Sequence, residues 1–163
     1  MNAARRWIRR GFLLWAVVSS TWLANSVRTQ GLPDDALRAT QAVRVVDGPT
    51  ALEFQPMTRN GKAALLFICG SGIHPHAYAP LLRPIAESGY PVLVVKLPYR
   101  FAPLAAHRDQ ALDRARALIA AHPDVAHWVI AGHSLGAALV ARLAQTDHGL
   151  DAAFVLLGTT DPK

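Results

Sequence analysis

A single cysteine in 163 residues excludes an intrachain disulfide and a cysteine-based zinc site. Charge is also scarce. Only 17% of the chain is charged while 52% is apolar, a balance that argues against a disordered chain. The length excludes two large domains and leaves room for one with a real core. No histidine pair has metal-ligand spacing inside a stable helical pattern, so neither a metal nor another cofactor is expected.

The charge that is present leans positive, with 17 Lys+Arg against 11 Asp+Glu and a net charge of +6. Its position matters more than its size. Arg5, Arg6, Arg9 and Arg10 precede any acidic residue, and Gly11–Ala24 follows without a charge. A basic run, an apolar run and then polar chain is the layout of a signal peptide or signal anchor. Ala24 and Ser26 stand at the −3 and −1 positions for cleavage after Ser26. The 14 residues cover about 21 Å as a helix, short of a hydrocarbon core of ~30 Å. Trp7 and Ile8 extend the run if the arginines snorkel. The domain is therefore expected to be extracytoplasmic and membrane-anchored, or secreted if the signal is cleaved. Residues 1–26 hold four arginines and no acid, which leaves 13 basic against 11 acidic residues, +2, in the remainder. Arg108, Arg114 and Arg116 share their segment with Asp109 and Asp113. No basic patch with interleaved aromatics is left to track a phosphate backbone, and no nucleic-acid partner is expected.

Residues 27–41 are polar and carry turn residues, as a linker would. Ala42–Val46 and Ala51–Gln55 flank Asp47-Gly48-Pro49 and predict a β-hairpin. Ala63–Cys69 and Pro91–Leu97 are continuous apolar runs, the pattern of strands buried on both faces. Trp128–Ala131 and Ala152–Leu157 predict two further strands. Helical stripes run over Pro75–Ser88 (Ala77, Leu81, Leu82, Ile85, Ala86), Leu104–Ala121 and Leu135–Gln145. A hairpin followed by alternating strands and helices predicts a three-layer α/β fold with a mostly parallel sheet. In such sheets reactive groups gather at the carboxyl ends of strands, here after Cys69, Leu97 and Ala131.

The loop after Ala131 reads Gly132-His133-Ser134-Leu135-Gly136. This is the G-x-S-x-G pattern that holds a serine on a sharp strand-to-helix turn. The turn brings the positions on either side of the serine into near contact, so glycine at 132 and 136 avoids a clash. Strand residues Val129–Ala131 precede it and helical residues Ala137–Val140 follow it. With this elbow, and with FICGSGIHPHAYAPLLRPIAESGYPVLVVKLPY over Phe67–Tyr99, the sequence resembles the α/β-hydrolase superfamily over about residues 42–160. It is most similar to the branch with an N-terminal anchor and a GHSLG elbow. The matching positions are Gly70, Pro75, Ala77, Tyr78, Leu82, Ala86, Gly89, Tyr90 and Pro98. The resemblance implies that Ser134 is a nucleophile. It also implies an oxyanion hole from the N–H of Leu135 and a second N–H after the third strand, Ser71 first and Gly72 next. A small-molecule ester is the implied substrate class, with thioester, lactone and amide open. His133 points away from the hydroxyl on such a turn, Tyr78 packs at the helix start, and Cys69 is a core thiol. His74 and His76 sit on the loop surface.

In this superfamily the acid and the base histidine follow the serine in that order. Only 29 residues follow Ser134, and the last histidine, His148, precedes the final strand. Asp161 is a candidate acid by resemblance; a base histidine is absent. The expected organisation is thus a signal segment at 1–26, a linker at 27–41 and a partial hydrolase domain at 42–163 that lacks the last strands. Such a chain is a truncated serine esterase or a degenerate remnant inactive as given. The alternative is a non-catalytic, membrane-anchored binding module of the same fold. A sheet ending on an apolar strand also predicts a partner chain or aggregation at that edge.

Overall fold

The computed structural model describes residues 3–26, 28, 31–33 and 35–158; Asp161 lies outside them. Six strands form one sheet: β1 (Val43–Asp47), β2 (Ala51–Pro56), β3 (Ala63–Ile68), β4 (Val92–Val95), β5 (His127–His133) and β6 (Ala152–Leu157). Their order is β1-β2-β4-β3-β5-β6. β1 pairs with β2, and β2 with β4, in antiparallel fashion; β4, β3, β5 and β6 run parallel.

Four helices complete the described chain: α1 (Ala3–Ser26), α2 (Ala79–Glu87), α3 (Ala105–Ala120) and α4 (Leu135–Thr146). Stepping from β3 to β4 moves across the sheet one way; stepping from β4 to β5 and on to β6 moves the other way. Right-handed crossovers therefore put α2 on one face and α3 with α4 on the opposite face. The direct packing of α3 on α4 agrees with this. The fold is an α/β sandwich with a mixed, mostly parallel sheet.

The strand sequences explain their placement. β4 (VLVV) is buried at every residue and β3 (AALLFI) at all but its first. Both lie centrally between neighbours and need apolar side chains on both faces. Phe54, Phe67, Leu66, Leu93, Ile130 and Leu143 are among the largest fully buried side chains. β6 has one strand neighbour, so Phe154, Val155 and Leu157 remain more than one-third exposed.

Helix α1 runs from Ala3 and includes the four arginines. No helix among the described residues is long and apolar enough to cross a membrane, so the membrane-anchoring span expected from the sequence is not supported. The physical reason is length against charge. The uncharged stretch Gly11–Ala24 is 14 residues, and the helix's other ten residues carry all four guanidinium groups.

The segment 27–41 is more than a tether where it is described. From Asp35 it folds into a turn, with Ala36 buried against the core. Arg83 of α2 holds it there through three backbone carbonyls, those of Asp35, Ala36 and Arg38.

Candidate active site

β3 and β5 are adjacent and parallel, with Ile68 opposite Gly132. The loops leaving their carboxyl ends therefore start side by side. After β5 the chain turns sharply at Ser134, whose φ of 53° and ψ of −117° lie outside the regions that L-residues ordinarily adopt. Two close approaches fix the turn. A Cβ on Gly132 would lie 2.3 Å from the Gly136 carbonyl oxygen, and one on Gly136 would lie 2.1 Å from that of Ile68. The Ser134 N–H donates to the Leu157 carbonyl (2.8 Å), tying the elbow to the end of β6. Ser134 itself is exposed at the top of the sheet.

The serine caps α4 through its backbone: its carbonyl accepts from the N–H groups of Ala137 (3.0 Å) and Ala138 (3.2 Å). The N–H of Leu135, the first residue of the helix, has no partner among the described residues. Free N–H groups at a helix start carry partial positive charge. They suit an oxygen that gains negative charge beside Ser134.

The loop after β3 offers three amides, and the structure distinguishes them. Gly70 N–H donates to the Tyr78 hydroxyl (3.0 Å). Gly72 N–H donates to the Arg100 carbonyl (3.0 Å). Ser71 N–H has no partner among the described residues, while its hydroxyl donates to the Phe101 carbonyl (3.0 Å). Of the two loop amides named from the sequence, Gly72's is committed elsewhere and Ser71's is free.

His133 faces this loop rather than the nucleophile's substrate side. Its Nδ1 lies 3.0 Å from the Tyr78 hydroxyl. The same hydroxyl accepts from Gly70 N–H, so one oxygen links the Gly70 backbone to the His133 ring. The ring lies so close to Gly70 that a Cβ there would come within 2.7 Å of Nδ1; on the other side a Cβ on Gly158 would come within 3.2 Å. Tyr78 and His133 thus brace the loop carrying Ser71 against the elbow carrying Ser134. The aromatic at 78 was legible only as a packing residue; that its hydroxyl links the two loops depends on a contact across 55 residues.

Among the described residues no side chain hydrogen-bonds the Ser134 hydroxyl. His74 Nδ1 accepts from His76 N–H within its own loop (3.3 Å), and His76 Nε2 pairs with Asp47 (2.8 Å). His107 packs against Tyr99 with the rings tilted by 56° and their centroids 4.8 Å apart. Among the described residues no three His, Cys, Asp or Glu side chains converge as metal ligands would.

Cys69 directly follows β3, at the start of the loop, and is buried. Burial pushes its thiol up to about 12, with the Lys96 charge opposing weakly. The shift of roughly three units from an ordinary thiol lowers the thiolate fraction about a thousandfold. The native chain at pH 8 is expected to resist iodoacetamide and to react once unfolded in guanidinium. Rapid alkylation of the folded chain, read by mass spectrometry, would contradict this environment.

Comparison with known proteins follows the same lines. The family model described as "Alpha/beta hydrolase family" matches residues 64–162, more than half of the chain. A search of curated proteins finds no match. Among solved structures, a hormone-sensitive-lipase homologue from a metagenome library superposes with a TM-score of 0.56 at 20% identity, covering 75% of this chain and 46% of its own. A thermostable carboxyl esterase from Bacillus coagulans, in complex with glycerol, gives 0.56 at 16% identity, with 74% and 46% covered. The structure described as ESTFA in its iron-lacking apo form gives 0.58 at 22% identity, with 91% and 54% covered. The chain spans about half the length of these structures, and at such identities they attest the fold. With the family match over residues 64–162 and this sheet order, the chain belongs to the alpha/beta hydrolase family.

Proposed function

We propose that the chain acts as a serine hydrolase on carboxylic esters, with Ser134 as nucleophile. The observation that carries this reading is the elbow itself. A strained, exposed serine at the carboxyl end of β5, a strand paired on both sides, stands directly before a helix whose first N–H is free. Ser134 Oγ attacks the ester carbonyl carbon, and the carbonyl oxygen takes up the negative charge. The N–H groups of Leu135 and Ser71 donate to that oxygen, and collapse leaves an acyl-serine and expels the alcohol, whose oxygen carries away the proton lost from Ser134. Water then adds to the acyl carbon, returns one hydrogen to Oγ and releases the carboxylic acid. The esterases among the similar folds support an ester as the substrate class.

A second reading, a non-catalytic module of the same fold, is favoured by one observation: no described side chain stands ready to accept the Ser134 proton. A fluorophosphonate probe separates the two. The catalytic reading expects covalent labelling of the chain and its loss in Ser134→Ala. Absent labelling, or labelling that survives the substitution, rules out Ser134 as the working nucleophile and leaves the non-catalytic reading.

A further inference from the structure

The connection between β4 and α3 is strained without a glycine to relieve it. Tyr99 (φ 51°), Arg100 (φ 65°) and Ala102 (φ 44°) all adopt left-handed backbone, a region that such residues avoid. Hydrogen bonds hold the turn in place. Arg100 N–H donates to the Leu97 carbonyl (3.0 Å) and Ala102 N–H to that of Pro98 (2.9 Å). The carbonyls of Arg100 and Phe101 accept from Gly72 N–H and the Ser71 hydroxyl, so the turn and the loop carrying the free Ser71 amide are built as one unit. Strain maintained in this way recurs where a side chain must be held for function.

The side chain so held is Arg100. It lines a cleft of about 230 Å³ between this turn and the loop residues Ile73–Pro75, together with Lys96 and Arg114. The three cations differ in what satisfies them. Lys96 Nζ pairs with Asp47 (2.5 Å), a carboxylate shared with His76. Arg114 donates to the Lys96 carbonyl (2.7 Å) and has no acidic partner among the described residues. Arg100 has no side-chain hydrogen bond among them at all, and its Nε is buried without a partner. Buried donors are nearly always satisfied, and a half-buried guanidinium without an acceptor calls for one from outside the chain. The cleft's one histidine does not supply it. His74 Nδ1 already accepts from His76 N–H (3.3 Å), and burial first, then the charges of His76, Arg100 and Lys96, hold its pKa below the ordinary value against an opposing pull from Asp47.

We propose that this cleft binds an anionic group, a carboxylate or a phosphate, carried on the substrate, with Arg100 as its principal ligand and Arg114 as the second. The guanidinium is suited to this because its planar fork can donate two parallel hydrogen bonds to one oxyanion. That the anion belongs to the substrate rests on Ser134 as nucleophile; that the cleft binds an anion does not.

Binding to the full-length Ser134→Ala chain tests the cleft without turnover. Monomethyl succinate, an ester with a free carboxylate, is titrated against dimethyl succinate, its neutral counterpart, and against inorganic phosphate, with NMR shifts as the readout. The expected result is that monomethyl succinate binds at least about tenfold more tightly than the diester. Arg100→Gln should remove that preference and Arg100→Lys keep part of it, with folded spectra for both. Tighter binding of phosphate than of the carboxylate, also lost in Arg100→Gln, supports the cleft and assigns phosphate as the anion. Equal affinity for the charged and neutral esters together with no phosphate binding, or a preference that Arg100→Gln leaves intact, overturns the proposal. Anion binding with no fluorophosphonate labelling of the unsubstituted chain removes the nucleophile reading and leaves the cleft as an anion site. Labelling without anion binding does the reverse.

Discussion

Replacing Gly136 by alanine is expected to destabilise the domain by about 4 kcal/mol or more, enough to leave much of it unfolded. Helix propensity alone predicts the opposite sign, since alanine in place of glycine favours a helix by about 1 kcal/mol and Gly136 lies in the first turn of α4. Contact geometry decides. The new methyl group would meet the Ile68 carbonyl oxygen at 2.1 Å and that of Cys69 at 2.7 Å. These are backbone atoms at the end of β3, a strand paired on both sides by β4 and β5. They have no rotamer by which to withdraw. Relief requires lifting the start of α4 off the sheet, which also moves Ser134 and the free N–H of Leu135. Urea unfolding followed by circular dichroism measures the change, and labelling of Ser134 should fall with it. Gly149 is the control: nothing lies within 4 Å of a Cβ there, so Gly149→Ala should change stability by no more than about 0.5 kcal/mol. A Gly136→Ala chain as stable as the parent would show that α4 does not sit on β3 as described.

The elements that place Ser134 were legible because each obeys a local rule. Apolar runs without alternation marked the doubly buried strands Ala63–Ile68 and Val92–Val95, and also the apolar edge strand Ala152–Leu157, whose side chains stay largely uncovered; all three end as read to within a few residues. The two glycines flanking the elbow imply their close approach. What was not legible depends on partners distant in sequence. Arg83 lies buried on the inner face of α2 with Ala79, Leu82 and Ala86, while Leu81, read as part of the inward stripe, is 59% exposed. The stripe shifts because Pro75–Tyr78 forms a 3₁₀ turn, and the α-helix proper starts at Ala79. A periodicity count over Pro75–Ser88 assumes one helix and one phase. The left-handed residues Tyr99, Arg100 and Ala102 carry no sequence signal, because glycine would have announced them and none is there. Lys96 was the one hint, a charge ending an otherwise apolar strand. The free Ser71 amide and the committed Gly72 amide also differ only through the distant Arg100 carbonyl.

Arg83 sets the second large expectation. It is 9% exposed, and its Nη1 donates to the carbonyls of Asp35 (2.8 Å), Ala36 (3.1 Å) and Arg38 (2.7 Å). Its Nε donates to Glu87 Oε1 one turn along α2 (2.8 Å). The segment before β1 makes its own turn through Ala36 N–H to the Pro33 carbonyl and Arg38 N–H to the Asp35 carbonyl. That turn points three acceptors at Nη1 while Nε serves Glu87, and a guanidinium carries both donor positions on one rigid plane. Arg83→Met keeps the aliphatic stem that packs on α2 and removes every donor. It should lower stability by about 2–4 kcal/mol, because acceptors are left unmet where Ala36 remains buried. Arg83→Lys restores the charge without the fork and should recover roughly half of the loss. Two measurements read the effect: the urea midpoint, and the rate at which trypsin cuts after Arg38. If Arg83 holds the segment to the domain, the midpoint falls and cleavage accelerates together in Arg83→Met. If cleavage accelerates while the midpoint stays fixed, the segment is a separable strap; if neither moves, the three hydrogen bonds contribute nothing. The coupled outcome is expected because Ala36 is packed against the same core as β1 and α2, so releasing the turn exposes apolar surface that the sheet needs covered.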